Sequence, residues 1–453
     1  MSEKTIAAIA TPLGEGSLAV IRISGGEAIK IADKIFYPFS EKKLCELNGY
    51  QAAYGEIKDN EKVLDDGVAL IFKAPKSYTG EDVVEIALHG GRLMAKSVLR
   101  LILSMGAVLA APGEFTKRAF LNGKTDLTKA ESIMGLISAK SESELRLSRS
   151  AHIGKLSGKI EEIEKELLAA AASIAAFSDY PEEDIEGLDA ENFEKMLKNA
   201  ENSIKNMLSS YDTGRIICEG IDTAIVGKPN VGKSTLMNML SGYERSIVTD
   251  VAGTTRDIVE DTVTVGDIVL RLADTAGIHN TEDEVEKIGV QRANSRIDTA
   301  GLILAVFDCS KPLDEDDFAL IERVKKLNTI AIINKSDLQR DINLEAFKDM
   351  RIVKTSAKMG EGYEELSREI AELTGIANLD PDSAVLMGER QRACAQRALD
   401  GVSAALEALL CGCTMDAVGV CVDDAISALF ELTGKRVTNE VTDEIFRRFC
   451  VGK

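Results

Sequence analysis

Residues 227–234 of the 453-residue chain read GKPNVGKS, a pattern that could hold the phosphates of a nucleotide. The glycines let main-chain N–H groups wrap around phosphate oxygens, Lys233 can neutralise the β and γ phosphates, and Ser234 can bind Mg²⁺. A strand-like run precedes the pattern, and residues 235–240 are predicted to be helical, with Gly242 ending the helix. A chance glycine-rich turn, the alternative, would lack this context. The residues expected to bind the nucleotide are Asn230, Val231, Gly232, Lys233 and Ser234.

Three further short motifs follow in the order that a guanine-nucleotide site requires. They are Asp274, Thr275, Ala276 and Gly277, then Asn334, Lys335, Ser336 and Asp337, then Ser356, Ala357 and Lys358. Asp274 can support the Mg²⁺ shell, while a glycine N–H senses the γ phosphate. Asp337 can accept hydrogen bonds from the N1–H and 2-amino groups of guanine, whereas adenine has an acceptor at N1 and no 2-amino group. The last motif usually contacts O6 of guanine. The four motifs together therefore predict that the chain binds GTP.

The loop at residues 249–257 (TDVAGTTRD) lies where the first switch of a GTPase is expected. Its residues expected at the nucleotide are Thr249, Asp250, Val251, Ala252, Gly253, Thr254 and Thr255. Thr255 is placed to complete the Mg²⁺ shell. Arg256 is the local candidate for an arginine finger, but we interpret it as a structural contact within the loop. A further positive charge is then needed from elsewhere.

Ile278 follows Gly277 at the position where Ras-like switches carry the glutamine that orients the attacking water. Another group must therefore orient the water in this chain. Glu286, in the acidic stretch that follows, is the candidate, acting directly or through a second water. The alternative is a solvated charge like its neighbours Glu282 and Glu284.

The bulk composition limits the function classes. The chain is 45% hydrophobic and 28% charged, has no apolar stretch long enough for a membrane span, and shows no secretory signal, so we expect a cytoplasmic protein. The formal net charge of −20 argues against a free RNA-binding protein. Eight cysteines without paired zinc spacing predict reduced thiols.

The length predicts two to four domains, and hydrophobic periodicity gives their classes. Residues 5–121 read as an α+β domain, and residues 130–178 and 192–210 as long helices. Between residues 216 and 374, strand-like runs alternate with amphipathic helices, which predicts a parallel sheet flanked by helices. After residue 381 the chain is helical again. These last helices are expected to pack on the earlier ones, which would make the α/β segment an insertion.

Residues 14–19 (GEGSLA) fit a loose dinucleotide-binding pattern that ends in Ala. A strand-like run follows, where that pattern needs a helix. Any flavin is therefore expected to come from a partner protein.

Beyond the nucleotide motifs, the chain resembles the MnmE (TrmE) family of tRNA-modification GTPases over essentially its full length. The matching segments are residues 21–25 (IRISG), 80–85 (GEDVVE), 89–91 (HGG), 112–116 (PGEFT), 118–124 (RAFLNGK) and 449–453 (FCVGK). The resemblance implies a folate-binding α+β domain at 1–121 that dimerises, a discontinuous helical domain at 122–215 and 376–453, and an inserted Ras-like P-loop GTPase domain at 216–375.

The same resemblance implies the ligands of two sites. K⁺ supplies the missing positive charge in this family, at positions that correspond here to Asn230, Thr249, Val251 and Thr254. 5-Formyl-tetrahydrofolate, or a related one-carbon folate, is implied at Arg22, Glu85, Lys124 and Lys453. Taken singly, each of these four is also compatible with a surface or ion-pair residue.

The resemblance further implies a homodimer that works with the FAD-containing protein MnmG in a heterotetramer or larger complex. That complex adds an aminomethyl or carboxymethylaminomethyl group at C5 of the wobble uridine of certain tRNAs. Cys450 is implied in this modification site, against the alternatives of a small core residue and a prenylation signal, which the last two residues do not fit.

The sequence disfavours two rival functions. A ribosome-assembly GTPase would share the nucleotide motifs but lack the N-terminal segments and the final Cys-x-Gly-Lys. A nucleotide-gated binding module would not need hydrolysis.

Two groups of basic residues either contact RNA or form solvated helix faces, namely Arg146, Arg149, Lys155 and Lys159, and Lys435, Arg436, Arg447 and Arg448.

Overall fold

The computed structural model describes residues 4–12, 14–40, 42–179, 190–243, 261–272, 297–380 and 383–453. The chain divides into two compact units, Met1–Met134 with Ser427–Lys453, and Gly135–Ile426. The predicted domain bounds at residues 121, 215 and 375 remain predictions.

The first unit contains a seven-stranded sheet with the strand order β3-β4-β5-β6-β2-β1-β7. Its strands are β1 Ile6–Ile9, β2 Leu18–Ser24, β3 Phe36–Pro38, β4 Gln51–Asp59, β5 Lys62–Phe72, β6 Val83–His89 and β7 Val108–Leu109, and its helices are α1 Ala28–Asp33, α2 Arg92–Ser104 and α3 Glu114–Leu121, with α4 Leu127–Ser138 following. The pairs are antiparallel except β1 with β7. Ile21 and Ile86 share a buried core with Val98 and Ile102 of α2. The predicted α+β class is confirmed for this part of the chain.

The second unit begins with four helices, of which the third matches the helical stretch predicted at residues 192–210. They are α5 Glu142–Ile153, α6 Lys155–Asp179, α7 Ala190–Ser209 and α8 Tyr211–Glu219. The stretch at residues 130–178 is therefore three helices rather than one long run. Ser141 caps the start of α5 by accepting a hydrogen bond from the Glu144 N–H, and Gly154 ends it in the left-handed conformation, with φ at +99°. These two capping residues divide a stretch whose apolar spacing is helical throughout.

A six-stranded sheet follows, with the order β13-β12-β11-β8-β10-β9. Its elements are β8 Ile221–Val226, α9 Lys233–Tyr243, β9 Asp261–Val265, β10 Ile268–Leu272, β11 Leu302–Asp308, α10 Glu315–Val324, β12 Thr329–Asn334, β13 Arg351–Lys354 and α11 Tyr363–Leu373. Every pair is parallel except β9 with β10. The strand-like runs between residues 216 and 374 form strands β8, β10, β11 and β12, so the predicted parallel sheet with flanking helices is confirmed.

One local prediction in this unit is wrong. Gly242 lies inside α9, which continues to Tyr243, and does not end the helix. A glycine lowers helix stability by only about 1 kcal/mol. The packing of Leu236 and Leu240 in the core of the sheet outweighs that cost.

The chain continues with α12 Glu389–Leu410, α13 Met415–Thr433 and α14 Asn439–Arg447. Helix α12 packs along α7, and Ser403 Oγ donates a 2.9 Å hydrogen bond to Glu201. This contact is the expected packing of the late helices on the earlier ones. In the first unit, Phe446 and Phe449 pack on Leu127 and Ala130. Among the helices within the described ranges, none is sufficiently long and apolar to cross a membrane.

Candidate nucleotide site and second polar site

The phosphate loop at residues 227–232 lies at the carboxyl end of the central strand β8, which pairs with β10 and β11 on its two sides. Gly227 has φ at +146°, and a Cβ there would lie 2.4 Å from the main-chain oxygen of Val306. Asn230 and Gly232 also have positive φ, at +63° and +101°. The glycines are therefore required by the backbone, as expected for a loop that turns its N–H groups inward.

Lys233 is the first residue of α9 and folds back over this loop. Its Nζ donates hydrogen bonds to the main-chain oxygens of Gly227 at 2.9 Å and Lys228 at 2.7 Å. Ser234 follows and is exposed. An ammonium group, a hydroxyl group and the N-terminus of a helix thus lie together, which is a suitable environment for an anion with its cation.

Asn334 joins the phosphate loop to the two motifs predicted for guanine. It is the last residue of β12 and is 2% exposed. Its Nδ2 donates to the main-chain oxygen of Val231 at 2.9 Å, and its Oδ1 accepts from the N–H of Ala357 at 3.1 Å. Three motifs that are far apart in sequence therefore meet at one buried amide.

Asp337 is exposed at the same end of the sheet, and its Oδ1 accepts a 2.6 Å hydrogen bond from Ser356 Oγ. This bond holds the pKa of the Asp337 carboxyl below its usual range. The group is consequently ionised at neutral pH and is a pure acceptor. An ionised acceptor at this position suits the N1–H and 2-amino donors of guanine.

Lys335 connects the guanine motif to the phosphate loop by a second route. Its Nζ donates to the main-chain oxygen of Asn230 at 2.8 Å and to Asp308 Oδ2 at 2.6 Å. Burial would raise the pKa of Asp308, but hydrogen bonds from Lys335 and Ser310 lower it overall. The lysine is thus an ionic bridge between β11 and the loop, while Ser336 and Lys358 are exposed beside it.

The remaining residues predicted for this site lie outside the described residues. They are Thr249, Asp250, Val251, Ala252, Gly253, Thr254, Thr255, Asp274, Thr275, Ala276, Gly277 and Glu286. Their assignments stay predictions.

Two of the four residues predicted for folate, Arg22 and Glu85, meet in the first unit. Arg22 and Glu85 are directly opposite each other on β2 and β6, and Arg22 Nε donates to Glu85 Oε1 at 2.7 Å. The guanidinium also donates to the main-chain oxygen of Gly452 at 3.2 Å and lies 5.3 Å from the ring centroid of Tyr78. A carboxylate, a guanidinium and an aromatic ring are therefore adjacent, a combination that binds planar polar ligands.

The main chain of the C-terminal residues lies next to Arg22 and α3. The N–H of Phe115 donates to the main-chain oxygen of Lys453 at 3.2 Å, so the chain end lies against α3. Gly452 has φ at +97°, and a Cβ there would lie 2.5 Å from the main-chain oxygen of Ile9. Cys450 is exposed. Lys124 Nζ donates to the main-chain oxygen of Pro75 at 2.9 Å, in the segment that leads to Tyr78.

Comparisons with known proteins identify the family of the chain. A model described as the GTP-binding protein TrmE N-terminus matches residues 5–124, and one described as the MnmE helical domain matches residues 127–450. A tRNA modification GTPase MnmE of Alkaliphilus oremlandii is 42% identical, covering 100% of this chain and 99% of the relative. The protein of the same name from Clostridioides difficile is 40% identical, with the same coverage.

The chain belongs to the MnmE family of tRNA modification GTPases. The predicted fold class, an N-terminal α+β part with helical and P-loop α/β parts, is confirmed by the family models and by the two sheets. The solved G domain of the T. maritima FeoB iron transporter is 26% identical, covering 34% of this chain and 98% of its own, at a TM-score of 0.25. That overall similarity is too low to support an argument.

The sequence did not predict two ionic clusters that the structure shows in this MnmE family member. Arg118 of α3 is 5% exposed and donates to Glu81 at 3.1 Å and to Glu114 at 2.8 Å. The spacing of Glu114 and Arg118, four residues apart in a helix, could have indicated that pair. The second cluster joins Lys228 to α10, and no local spacing indicates it.

The basic residues considered for RNA contact are partly engaged within this protein. Arg146 pairs with Glu142, Lys159 with Glu162, and Arg447 with Glu444, each on its own helix. Lys435 and Arg436 lie over the ring of Phe430. These pairs favour solvated helix faces, the commoner of the two alternatives.

Proposed function

We propose that this chain is the GTP-hydrolysing subunit of a cytoplasmic complex that modifies C5 of the wobble uridine in certain tRNAs. The complex would install an aminomethyl or carboxymethylaminomethyl group, using a tetrahydrofolate one-carbon unit and a partner FAD protein of the MnmG type. The observation that carries the proposal is the hydrogen-bonded junction at Asn334, because it brings the phosphate loop and the guanine motifs into one site.

GTP would bind with its phosphates on the loop at residues 227–232 and its base against Asp337 and Ala357. Lys233 already lies over the loop and would donate to the β and γ phosphates. The exposed carboxylate of Asp337 would accept from the base. Glu286 would orient the attacking water, since Ile278 cannot do so.

The described residues fit the two cations that the family uses. Ser234 offers an exposed hydroxyl beside Lys233, and Asn230 offers an exposed side chain on the loop. Mg²⁺ would be held by Ser234 and Thr255, and K⁺ by Asn230, Thr249, Val251 and Thr254. A bound K⁺ supplies positive charge to the phosphates, as an arginine finger does elsewhere.

The second site fits a one-carbon folate such as 5-formyl-tetrahydrofolate. Glu85, held in place by its hydrogen bond from Arg22, would accept hydrogen bonds from the donor edge of a pterin. The rings of Tyr78 and Phe115 lie beside the guanidinium. Lys124 and Lys453 would hold the carboxylates of the folate. We propose that residues 1–121 also mediate a homodimer, and that Cys450 acts in the modification site.

The domain assignment is part of the same proposal. Residues 1–121 would bind folate, residues 122–215 and 376–453 would form one helical domain, and residues 216–375 would form the inserted GTPase domain. The contact of α7 with α12 supports a helical domain built from two chain segments.

Mass spectrometry of wobble uridines tests the function directly. Cells that lack this chain should lose the C5 modification and regain it with the wild-type gene. A Lys233→Ala gene should fail to restore it, whereas Lys326→Ala, at an exposed position of the chain, should succeed. Unchanged wobble uridines in the deleted cells would refute the proposal.

A further inference from the structure

Lys228, the second residue of the phosphate loop, forms ion pairs to which the proposed function assigns no role. Its Nζ lies 2.5 Å from Asp314 Oδ2 and 2.6 Å from Asp317 Oδ2. The Asp317 side chain is 7% exposed and that of Lys228 is 29% exposed. A single exposed ion pair contributes little, but two carboxylates on one ammonium, one of them nearly buried, form a stronger contact.

Hydrogen bonds from main-chain N–H groups of the same helix hold both carboxylates in place, independently of Lys228. Asp314 is the N-cap of α10 and accepts from the N–H groups of Asp316 at 3.1 Å and Asp317 at 3.2 Å. Asp317 in turn accepts from the N–H of Asp314 at 3.3 Å, which completes a capping box. The lysine therefore binds a preorganised pair of carboxylates at the start of a helix.

The backbone of Lys228 belongs to the nucleotide site. Its main-chain oxygen accepts a hydrogen bond from Lys233 Nζ at 2.7 Å. Two residues later, Asn230 has φ at +63°, and its main-chain oxygen is held by Lys335. The side chain of Lys228 thus anchors the half of the loop that leads into the strained Asn230 backbone.

The same connecting segment between β11 and α10 holds the loop at two points. Lys335 joins Asn230 to Asp308 at the end of β11, and Lys228 joins the loop to Asp314 and Asp317 at the start of α10. Without either contact the free loop would have more conformations. Phosphate binding would then carry a larger entropic cost.

We propose that Lys228 is a positioning residue for GTP, and that its ion pairs with Asp314 and Asp317 hold the first half of the phosphate loop ready for the phosphates. This inference rests on the proposed nucleotide site. A direct contact of the Lys228 ammonium with phosphate is the competing role, and the two roles differ in what happens when the carboxylates are neutralised.

The test uses the full chain and a fluorescent GTP analogue in stopped-flow binding, with KM and kcat measured for GTP. Lys228→Met and Asp317→Asn should each weaken binding and raise KM by roughly tenfold, because each removes a charge-assisted contact of the anchor. Their kcat at saturating GTP should stay within about threefold, since Lys228 acts through the loop. Lys228→Arg should retain most of the affinity.

The matched control is Asp316→Asn, which removes the same charge from the same turn of α10 without touching Lys228. It should bind within about twofold of wild type. The double variant Lys228→Met with Asp317→Asn should lose no more affinity than either single variant, because the two residues act as one unit.

The possible outcomes are distinct. Wild-type protein that fails to bind the GTP analogue would refute the proposed nucleotide site itself. Wild-type protein that binds, together with Lys228→Met within twofold of it, would overturn the positioning role alone. Tighter binding by Asp317→Asn would assign the ammonium to direct phosphate contact and would also overturn it. If Lys228→Met does not fold, Lys228→Arg and Asp317→Asn decide the question.

Discussion

Asn334 donates a 2.9 Å hydrogen bond from its side-chain amide to the main-chain oxygen of Val231, across 103 positions of sequence. The same amide nitrogen would lie 2.2 Å from a Cβ placed on Gly232, so glycine is needed for this close approach. The loop proposed to bind phosphate and the segment proposed to bind the base are therefore joined by one hydrogen bond. A change at either residue should affect binding of the whole nucleotide rather than one end of it.

Replacing Asn334 by Ala should weaken binding of GTP and GDP together by at least about tenfold and lower the free energy of unfolding by roughly 2 kcal/mol. The reason is that the buried main-chain groups of Val231 and Ala357 lose their partner. Nucleotide titration and denaturant unfolding measure the two effects. Asn328→Ala, which removes an exposed 3.4 Å bond to Gly301, is the control and should change neither quantity.

Replacing Asp337 by Asn should weaken GTP binding by roughly a hundredfold, because an amide cannot accept two hydrogen bonds from guanine at one edge. ATP binding should not improve. Competition titrations with GTP and ATP give both values, with Asp341→Asn as an exposed control on the same loop. Ser356→Ala should have a smaller effect, since the carboxylate remains while the 2.6 Å bond that fixes it is lost. Equal affinities of the Asp337 variant and wild type would remove the residue from the base site.

The sequence predicted those features that depend on local pattern. The strands around Val226, Asp308 and Asn334 were predictable because buried parallel strands are continuous apolar runs. The pairing of Arg118 with Glu81 and of Lys228 with Asp317 was not, because each pair depends on how separate elements pack. The helix breaks near residues 140 and 154 were missed because capping by one serine and one glycine outweighs a helical pattern of apolar residues.

Replacing Glu85 by Gln should weaken binding of 5-formyl-tetrahydrofolate by about tenfold, because a charged acceptor facing the pterin becomes neutral. Isothermal titration measures the affinity. Glu56→Gln provides a control of the same chemistry, since Glu56 lies on β4 and pairs with Lys58 instead. Folate binding that is equal in the two variants would exclude Glu85 from the site.

Exchanging K⁺ for Na⁺ should lower the rate of GTP hydrolysis by at least about tenfold, because we expect K⁺ to provide the positive charge that an arginine finger supplies in other GTPases. Phosphate release in the two salts at equal ionic strength is the measurement. Asn230→Ala should remove most of the difference between the salts, because Asn230 is the described residue assigned to the ion. Equal wild-type rates in both salts would contradict potassium-assisted hydrolysis.

His89 and Asp65 should make the first unit sensitive to pH. His89 Nδ1 lies 2.7 Å from Asp65 Oδ1, and the N–H of His89 donates to Asp65 Oδ2 at 3.0 Å. The hydrogen bond to Asp65 raises the pKa of His89 above its usual value. Because the folded pKa is the higher one, the stabilising contribution is fully present below about pH 6.5, the ordinary histidine pKa, and is lost as pH rises through the folded pKa.

Two measurements check this pair. NMR titration should give His89 a midpoint above the ordinary value in the wild type and a lower midpoint in Asp65→Asn. In thermal unfolding, the difference between wild type and His89→Asn should be larger at pH 5.5 than at pH 8.5. His152→Asn, at an exposed histidine of α5, controls for the loss of an imidazole. A His89 midpoint that Asp65→Asn leaves unmoved would show that the carboxylate does not stabilise the charged ring.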